Sequence, residues 1–274
     1  RVERHSVWSF FITQTRVPHM DIRSPLEEVA RQYSTVPLEF NSENDVQARL
    51  YETTREYLQE RNDLSTTISK GFDIQLDGDP PRYTGDYHTR LETSARQQTL
   101  SRVRTELPIW HPLGDMISDE RPIPSDDGIE ILDLAILRSP IDRPVHIENG
   151  KHRIEIEMVD AAVEIKHPRN QTAMPSNRRG SLDDLSSDEI REVVNLERPG
   201  IKADLAELED VAENYATTAY FILTSQYDIL RRGSYTNERH QRLADAAVEK
   251  ISEMCDVTSV LYSYPQGWEW IVEN

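Results

Sequence analysis

The chain has 274 residues, of which 37% are hydrophobic and 29% are charged, and its formal net charge at pH 7 is −18. This length allows one large domain with a sizeable buried core. The acidic balance argues against a generic nucleic-acid coat protein, which would be basic.

Lysine and cysteine are both scarce in this chain. Only five of the 31 basic residues are lysines. An acidic, lysine-poor composition resembles that of proteins from salt-accumulating archaea, although an acidic protein from an ordinary cell has the same appearance. The single cysteine, Cys255, excludes an internal disulfide and a cysteine-based zinc site, and it favours the reducing cytoplasm. No apolar run is long enough for a membrane span, so we expect no membrane partner.

The first 60 residues contain one clear helix. Residues 1–40 combine an apolar burst, Val7 to Ile12, with proline-punctuated segments, which we interpret as a strand and a short helix outside the main domain. Ser42 and Asp45 then have the spacing of a capping box. Apolar residues at helical spacing extend this helix to about Glu60. Residues 61–98 are polar and give no clear pattern.

Three strand regions follow the ambiguous segment. The first covers residues 101–109, where apolar and charged residues alternate, and the second covers residues 128–137, which are almost wholly apolar. The third region, residues 144–166, has a turn signal at Asn149-Gly150 and ends in the apolar segment that leads to Lys166. These patterns predict strands that belong to one sheet.

The C-terminal half alternates between helix and strand. Residues 167–180 lack periodicity and are predicted to form a loop, whereas 204–215 form an amphipathic helix that leads into an apolar strand at 218–225. A further helix, about 237–255, and two aromatic-rich strands complete the chain. This order predicts a mixed α/β fold with helices on the faces of a central sheet.

The residues that carry chemistry lie in two of the predicted strands. Asp133 lies inside an apolar strand, and Glu164 and Lys166 end another. Strand alternation places Glu164 and Lys166 on one face and Ile165 on the other. If the strands are neighbours, the two carboxylates approach each other and can bind Mg²⁺ or Mn²⁺. Lys166 would then orient an attacking water or stabilise charge on a phosphate.

Asp133 together with Glu164-Ile165-Lys166 resembles the motif of the PD-(D/E)xK nucleases, which have the restriction-endonuclease-like fold. The resemblance covers about residues 41–232 and implies metal-dependent hydrolysis of DNA. It implies Asp133 and Glu164 as catalytic metal ligands, the Ile165 carbonyl as a further ligand, and Lys166 as the catalytic lysine. It also implies that Glu43, on the helix before the core, supports catalysis and that Glu106, on the first core strand, supports the metal site.

The chain departs from the family pattern at two points. Leu132 stands where the motif name has proline, and 30 residues separate Asp133 from Glu164, which requires an inserted hairpin at about 141–158.

From the extent of the resemblance, we expect residues 1–40 to be an extension packed on the core, 41–232 to be the nuclease-like core, and 233–274 to belong to the same domain. The sequence does not determine the oligomeric state and is compatible with a homodimer.

Each candidate residue also has an ordinary structural explanation. Asp133 could pair with an arginine at a strand edge, and Glu164 could form a cross-strand ion pair with Lys166. Glu43 could stabilise the helix dipole without any chemical role, and Glu106 could be an exposed acid without a function. Three arginines of the following loop could contact DNA phosphates or balance local acids: Arg169, Arg178 and Arg179. The same fold could also serve as a non-catalytic module that binds nucleic acid or protein, and an acidic adaptor of another fold is a third alternative.

Overall fold

The structure is a computed structural model that describes residues 20–68, 72–75, 99–110, 129–142, 145–148, 151–168, 200–215, 217–230 and 238–274, with the single positions 186, 189, 194 and 196. The predicted strand at Val7 to Ile12 and most of the predicted loop at 167–180 lie outside these residues. None of the helices in the described ranges is long and apolar enough to cross a membrane.

Two helices precede the sheet. Helix α1 (Arg23–Thr35) is followed by a short 3-10 turn (Pro37–Glu39) and by α2 (Glu43–Glu60). The predicted capping box at the start of α2 is confirmed: Ser42 Oγ accepts a hydrogen bond from the Asp45 backbone N–H, and the Asp45 carboxylate accepts one from the Ser42 hydroxyl. The buried stripe of α2 consists of Val46, Leu50, Thr54 and Leu58.

The strands form a large mixed sheet and a small two-stranded one. The strand bounds are β1 (Ser65–Thr67), β2 (Phe72–Gln75), β3 (Thr99–Ser101), β4 (Val103–Trp110), β5 (Ile129–Leu137), β6 (Val145–Glu148), β7 (Lys151–Glu155), β8 (Val159–Lys166), β9 (Thr218–Thr224), β10 (Ser259–Tyr264) and β11 (Gly267–Val272). In the large sheet the order is β11-β10-β9-β8-β5-β4-β7-β6-β2, and the small sheet pairs β1 with β3.

The chain between β5 and β8 contains two paired strands, in the region where the sequence predicts a hairpin. Strands β6 and β7 pair with each other in antiparallel fashion, and β7 then pairs with the far side of β4. A 3-10 turn (Ile156–Met158) leads into β8, which returns to pair with β5. Strands β6 and β7 therefore extend the sheet beyond β4, and β5 and β8 are direct neighbours.

Helices cover both faces of the sheet, so the mixed α/β class predicted from the sequence is confirmed. Helices α1 and α2 pack on one face in a cluster that includes Val163 and Ile165 of β8. On the other face, α3 (Ile201–Tyr215) packs over Ala162 and the apolar side of β9. Helix α4 (Glu238–Ser252) belongs to the same hydrophobic cluster and contacts β11. Strand β9 is parallel to both β8 and β10, and β11 is antiparallel to β10.

Candidate active site

The central pair of the site is formed by Asp133 on β5 and Glu164 on β8. The antiparallel register pairs Leu134 with Val163, and one further step places Asp133 opposite Glu164. The two carboxyl groups are hydrogen-bonded to each other, and the backbone N–H of Asp133 donates to the Glu164 carboxylate. In return, the Ile165 N–H donates to Asp133 Oδ2 at 2.7 Å.

The surroundings of this pair disfavour two negative charges. Burial, together with the adjacent Asp133 carboxylate, raises the pKa of Glu164 to about 10. Burial also raises the pKa of Asp133, with additional repulsion from Glu43 and Glu106. Within the described ranges no lysine or arginine forms an ion pair with either carboxyl group. The pair therefore needs a shared proton or a bound cation.

Lys166 lies on the same face of β8 as Glu164, whereas the side chain of Ile165 is buried on the opposite face against α1 and α2. The Lys166 ammonium contacts Asp204 Oδ2 on α3 at 2.5 Å, and each of these side chains is a little over one-fifth exposed. Burial disfavours the ammonium charge, but the hydrogen bond and charge of Asp204 outweigh it and raise the pKa of Lys166. Lys166 is therefore protonated and held by α3, not by Glu164.

Glu43 joins α2 to the end of β8. Its Oε2 accepts a hydrogen bond of 3.1 Å from the His167 backbone N–H, directly after Lys166. The buried imidazole of His167 in turn lies 2.8 Å from Thr224 Oγ1 at the end of β9. Glu43 is close enough for its charge to raise the pKa values of both Asp133 and Lys166. Helix α2 therefore contributes an acid to the edge of the site.

Glu106 on β4 is exposed and adjoins the central pair through Gln47 of α2. Its Oε1 accepts a hydrogen bond of 2.7 Å from Gln47 Nε2, and the same nitrogen donates to the Asp133 carbonyl oxygen at 2.8 Å. Among the described residues, no third carboxylate, histidine or cysteine lies within 4.8 Å of both Asp133 and Glu164. Glu43 and Glu106 therefore surround the central pair without joining it.

Asp204 and Gln47 are the site residues that sequence reasoning did not single out. Gln47 follows Glu43 by four residues, so helical periodicity already places the two on one face of α2. Asp204 is an acid in the first turn of the helix after the motif, a position that ordinarily indicates only a helix dipole effect. The three arginines proposed for DNA contact, Arg169, Arg178 and Arg179, lie outside the described residues.

A separate acidic cluster contains Glu209, Glu213 and Asp256, with one oxygen of each within 4.8 Å of the others. The carboxylate of Glu209 accepts hydrogen bonds from three consecutive backbone N–H groups, those of Asp256, Val257 and Thr258. This contact fixes the turn that precedes β10. The cluster therefore has a structural explanation that needs no metal.

Comparison of the chain with protein-family models, with curated proteins and with solved structures gave no significant match.

Proposed function

We propose that this protein is a metal-dependent nuclease of the PD-(D/E)xK type that hydrolyses phosphodiester bonds in DNA. The observation that carries the proposal is the contact between the Asp133 and Glu164 carboxyl groups, with Lys166 on the same face and with no described basic partner for either acid. Buried carboxyl pairs are costly, and they are concentrated at functional sites.

The order of elements supports the same proposal. Helix α2 precedes the antiparallel strands β4, β5 and β8, and α3 then leads into β9, which is parallel to β8. This arrangement resembles the restriction-endonuclease-like core, with the hairpin β6–β7 as an insertion. The candidate acids also occupy the strands and the helix that the resemblance implies.

The residues present fit a hard divalent cation. Asp133 and Glu164 supply oxygen ligands, and the Ile165 carbonyl is the proposed additional contact. Glu106 would support the cation through its nearby charge. Mg²⁺ characteristically keeps several waters beside one or two carboxylates. When bound, the cation would polarise the phosphodiester and lower the pKa of a bound water. The proton that Glu164 holds in the metal-free protein would be displaced by the cation.

Lys166 supplies the positive charge of the site. As an ammonium held on the same face as Glu164, it would stabilise the charge that develops on the phosphate and orient the attacking water. Asp204 would keep the Lys166 side chain in place, and Glu43 would fix the end of β8 through its contact with the His167 N–H. The arginines that follow Lys166 in the sequence would add phosphate contacts.

A non-catalytic module that binds nucleic acid or a protein partner is the second candidate. It is favoured by the net charge of −18, which repels DNA outside a local basic region. It leaves the contact between Asp133 and Glu164 without a use, so we place it second.

The proposal is tested by a cleavage assay in concentrated KCl, with and without Mg²⁺ or Mn²⁺, on linear duplex, single-stranded and branched DNA. Wild-type protein would be compared with Asp133→Ala and Lys166→Ala. Matched controls are Glu56→Ala and Arg61→Ala, which remove an exposed acid and an exposed base near the C-terminal end of α2, at the opposite end of that helix from Glu43. We expect metal-dependent cutting that both site variants lose and both controls retain.

Two results would contradict the proposal in different ways. Failure of a folded wild-type protein to cut any of the three substrates would favour the binding module. Cutting that survives both site substitutions would place the active centre elsewhere in the chain.

A further inference from the structure

Gln47 of α2 is the one described side chain that hydrogen-bonds to both β4 and β5 beside the carboxyl pair. We propose that Gln47 is a positioning residue that holds Glu106 and the Asp133 backbone in the arrangement that binds the cation. This inference rests on the proposed function, because it assigns a role within the same site. It adds a residue that the motif resemblance does not contain.

The pairing of β4 with β5 is interrupted beside the carboxyl pair. Thr105 pairs with Leu134 and Leu107 pairs with Leu132, but Glu106 and Asp133, between them, form no ladder pair. Glu106 has a φ of 48°, in the left-handed region that non-glycine residues rarely occupy. Strained conformations of this kind persist where the surrounding structure holds them, often at functional sites.

Gln47 forms hydrogen bonds to both residues at this interruption. A primary amide has two N–H donors, and the Nε2 of Gln47 contacts Glu106 Oε1 at 2.7 Å and the Asp133 carbonyl oxygen at 2.8 Å. The Asp133 carbonyl therefore receives from α2 the type of hydrogen bond that a strand neighbour would otherwise provide. Glu106 is at the same time kept beside the pair, where its charge acts on Asp133.

The consequence for the site is electrostatic and geometric. Glu106 held by Gln47 adds negative charge next to Asp133 and Glu164, which attracts a divalent cation to the pair. The hydrogen bond to the Asp133 carbonyl fixes the backbone from which the metal-binding carboxylate extends. Partners of this kind, which orient ligands without binding the metal, commonly contribute about 10- to 100-fold in metal affinity.

The experiment is a calorimetric titration of the full chain with Mn²⁺ in concentrated KCl, together with the Mg²⁺ dependence of DNA cleavage. Gln47→Leu removes both donors, Gln47→Asn keeps an amide on a shorter side chain, and Gln59→Leu is the same change at an exposed position of α2. We expect Gln47→Leu and Gln47→Asn to weaken Mn²⁺ binding by about 10-fold or more. We also expect a higher half-saturating Mg²⁺ concentration with KM for DNA unchanged, and wild-type values for Gln59→Leu.

A double-mutant cycle with Glu106→Ala separates positioning from packing, because the loss caused by Gln47→Leu should shrink once Glu106 is absent. Unchanged Mn²⁺ affinity in folded Gln47→Leu and Gln47→Asn, with wild-type cleavage intact, would overturn the inference alone. Wild-type protein that binds Mn²⁺ without cutting DNA, with weaker binding in the Gln47 variants, would support the inference while contradicting the nuclease. If Gln47→Leu does not fold, Gln47→Asn decides by the same criteria.

Discussion

Glu164 is the candidate-site residue whose pKa is raised furthest above its ordinary value. Its pKa of about 10 in the folded protein lies far above the value of about 4.3 expected for an unfolded chain. Between these pH values the folded state holds a proton that the unfolded state releases, so the free energy of unfolding falls as pH rises. In the metal-free protein, Glu164 therefore opposes folding at neutral and alkaline pH.

Glu164→Gln should consequently stabilise the metal-free protein while it abolishes cleavage. We expect the free energy of unfolding at pH 8 to rise by about 1–3 kcal/mol and its decline between pH 6 and 9 to become shallower. Chemical denaturation in EDTA measures both. Asp160→Asn is the matched control: Asp160 pairs with the buried guanidinium of Arg102, which keeps Asp63 as a second acidic partner. Its loss should therefore destabilise the protein by about 1–3 kcal/mol. A destabilised Glu164→Gln would assign Glu164 a purely structural role.

Asp204 gives a second prediction at the scale of one residue. Asp204→Asn removes the charged partner of Lys166, so we expect kcat to fall by about 10- to 100-fold with little change in KM for DNA. Asp204→Glu, which retains the charge, should recover part of the loss. Asp210→Asn is the control, because Asp210 is an exposed acid on the same helix, and among the described residues its side chain hydrogen-bonds to Asn214. Equal activity of Asp204→Asn and wild type would remove Asp204 from the site.

Helix α2 connects the site to the rest of the fold, because its first two turns carry both Glu43 and Gln47. Ser42→Ala removes the N-cap side chain, and we expect a loss of about 1 kcal/mol of stability. The half-saturating Mg²⁺ concentration should rise as well, since the first turn holds Glu43. Thermal unfolding and metal titration measure the two effects. A loss of stability without any change in metal dependence would separate the cap from the site.

The local elements near the site could be predicted from the sequence because their signals are local. The capping box located the start of α2, apolar runs located β5 and β9, and the turn signal lay between β6 and β7 as the structure has them. Strand alternation also gave the opposite orientations of Ile165 and Lys166. These features depend on neighbouring residues, which the sequence displays directly.

The contacts between elements could not be predicted in the same way. The sequence did not specify that α3 begins at Ile201 and brings Asp204 to Lys166, nor that β7 pairs with the far side of β4. The left-handed conformation at Glu106 also has no signal in the sequence, because glutamate rarely adopts it. Such features depend on which elements pack together, and packing is decided by the whole chain.

The charge of the whole molecule affects both stability and substrate binding. A net charge of −18 produces self-repulsion, which concentrated salt screens. We expect the melting temperature to rise between 0.1 and 2 M KCl, whereas DNA binding should weaken over the same range because phosphate contacts are salt-dependent. Calorimetry and fluorescence anisotropy measure the two trends. A melting temperature that does not change with KCl would contradict the interpretation of the composition as salt-adapted.

The central claim is that Asp133 and Glu164 hold a divalent cation beside Lys166. The most direct test is a crystal of the protein grown with Mn²⁺, in which anomalous scattering locates the ion independently of the protein atoms. We expect a peak between the Asp133 and Glu164 carboxylates, and we expect this peak to be absent from a crystal of Asp133→Ala. A peak only at Glu209, Glu213 and Asp256, or no peak at all in crystals saturated with Mn²⁺, would contradict it.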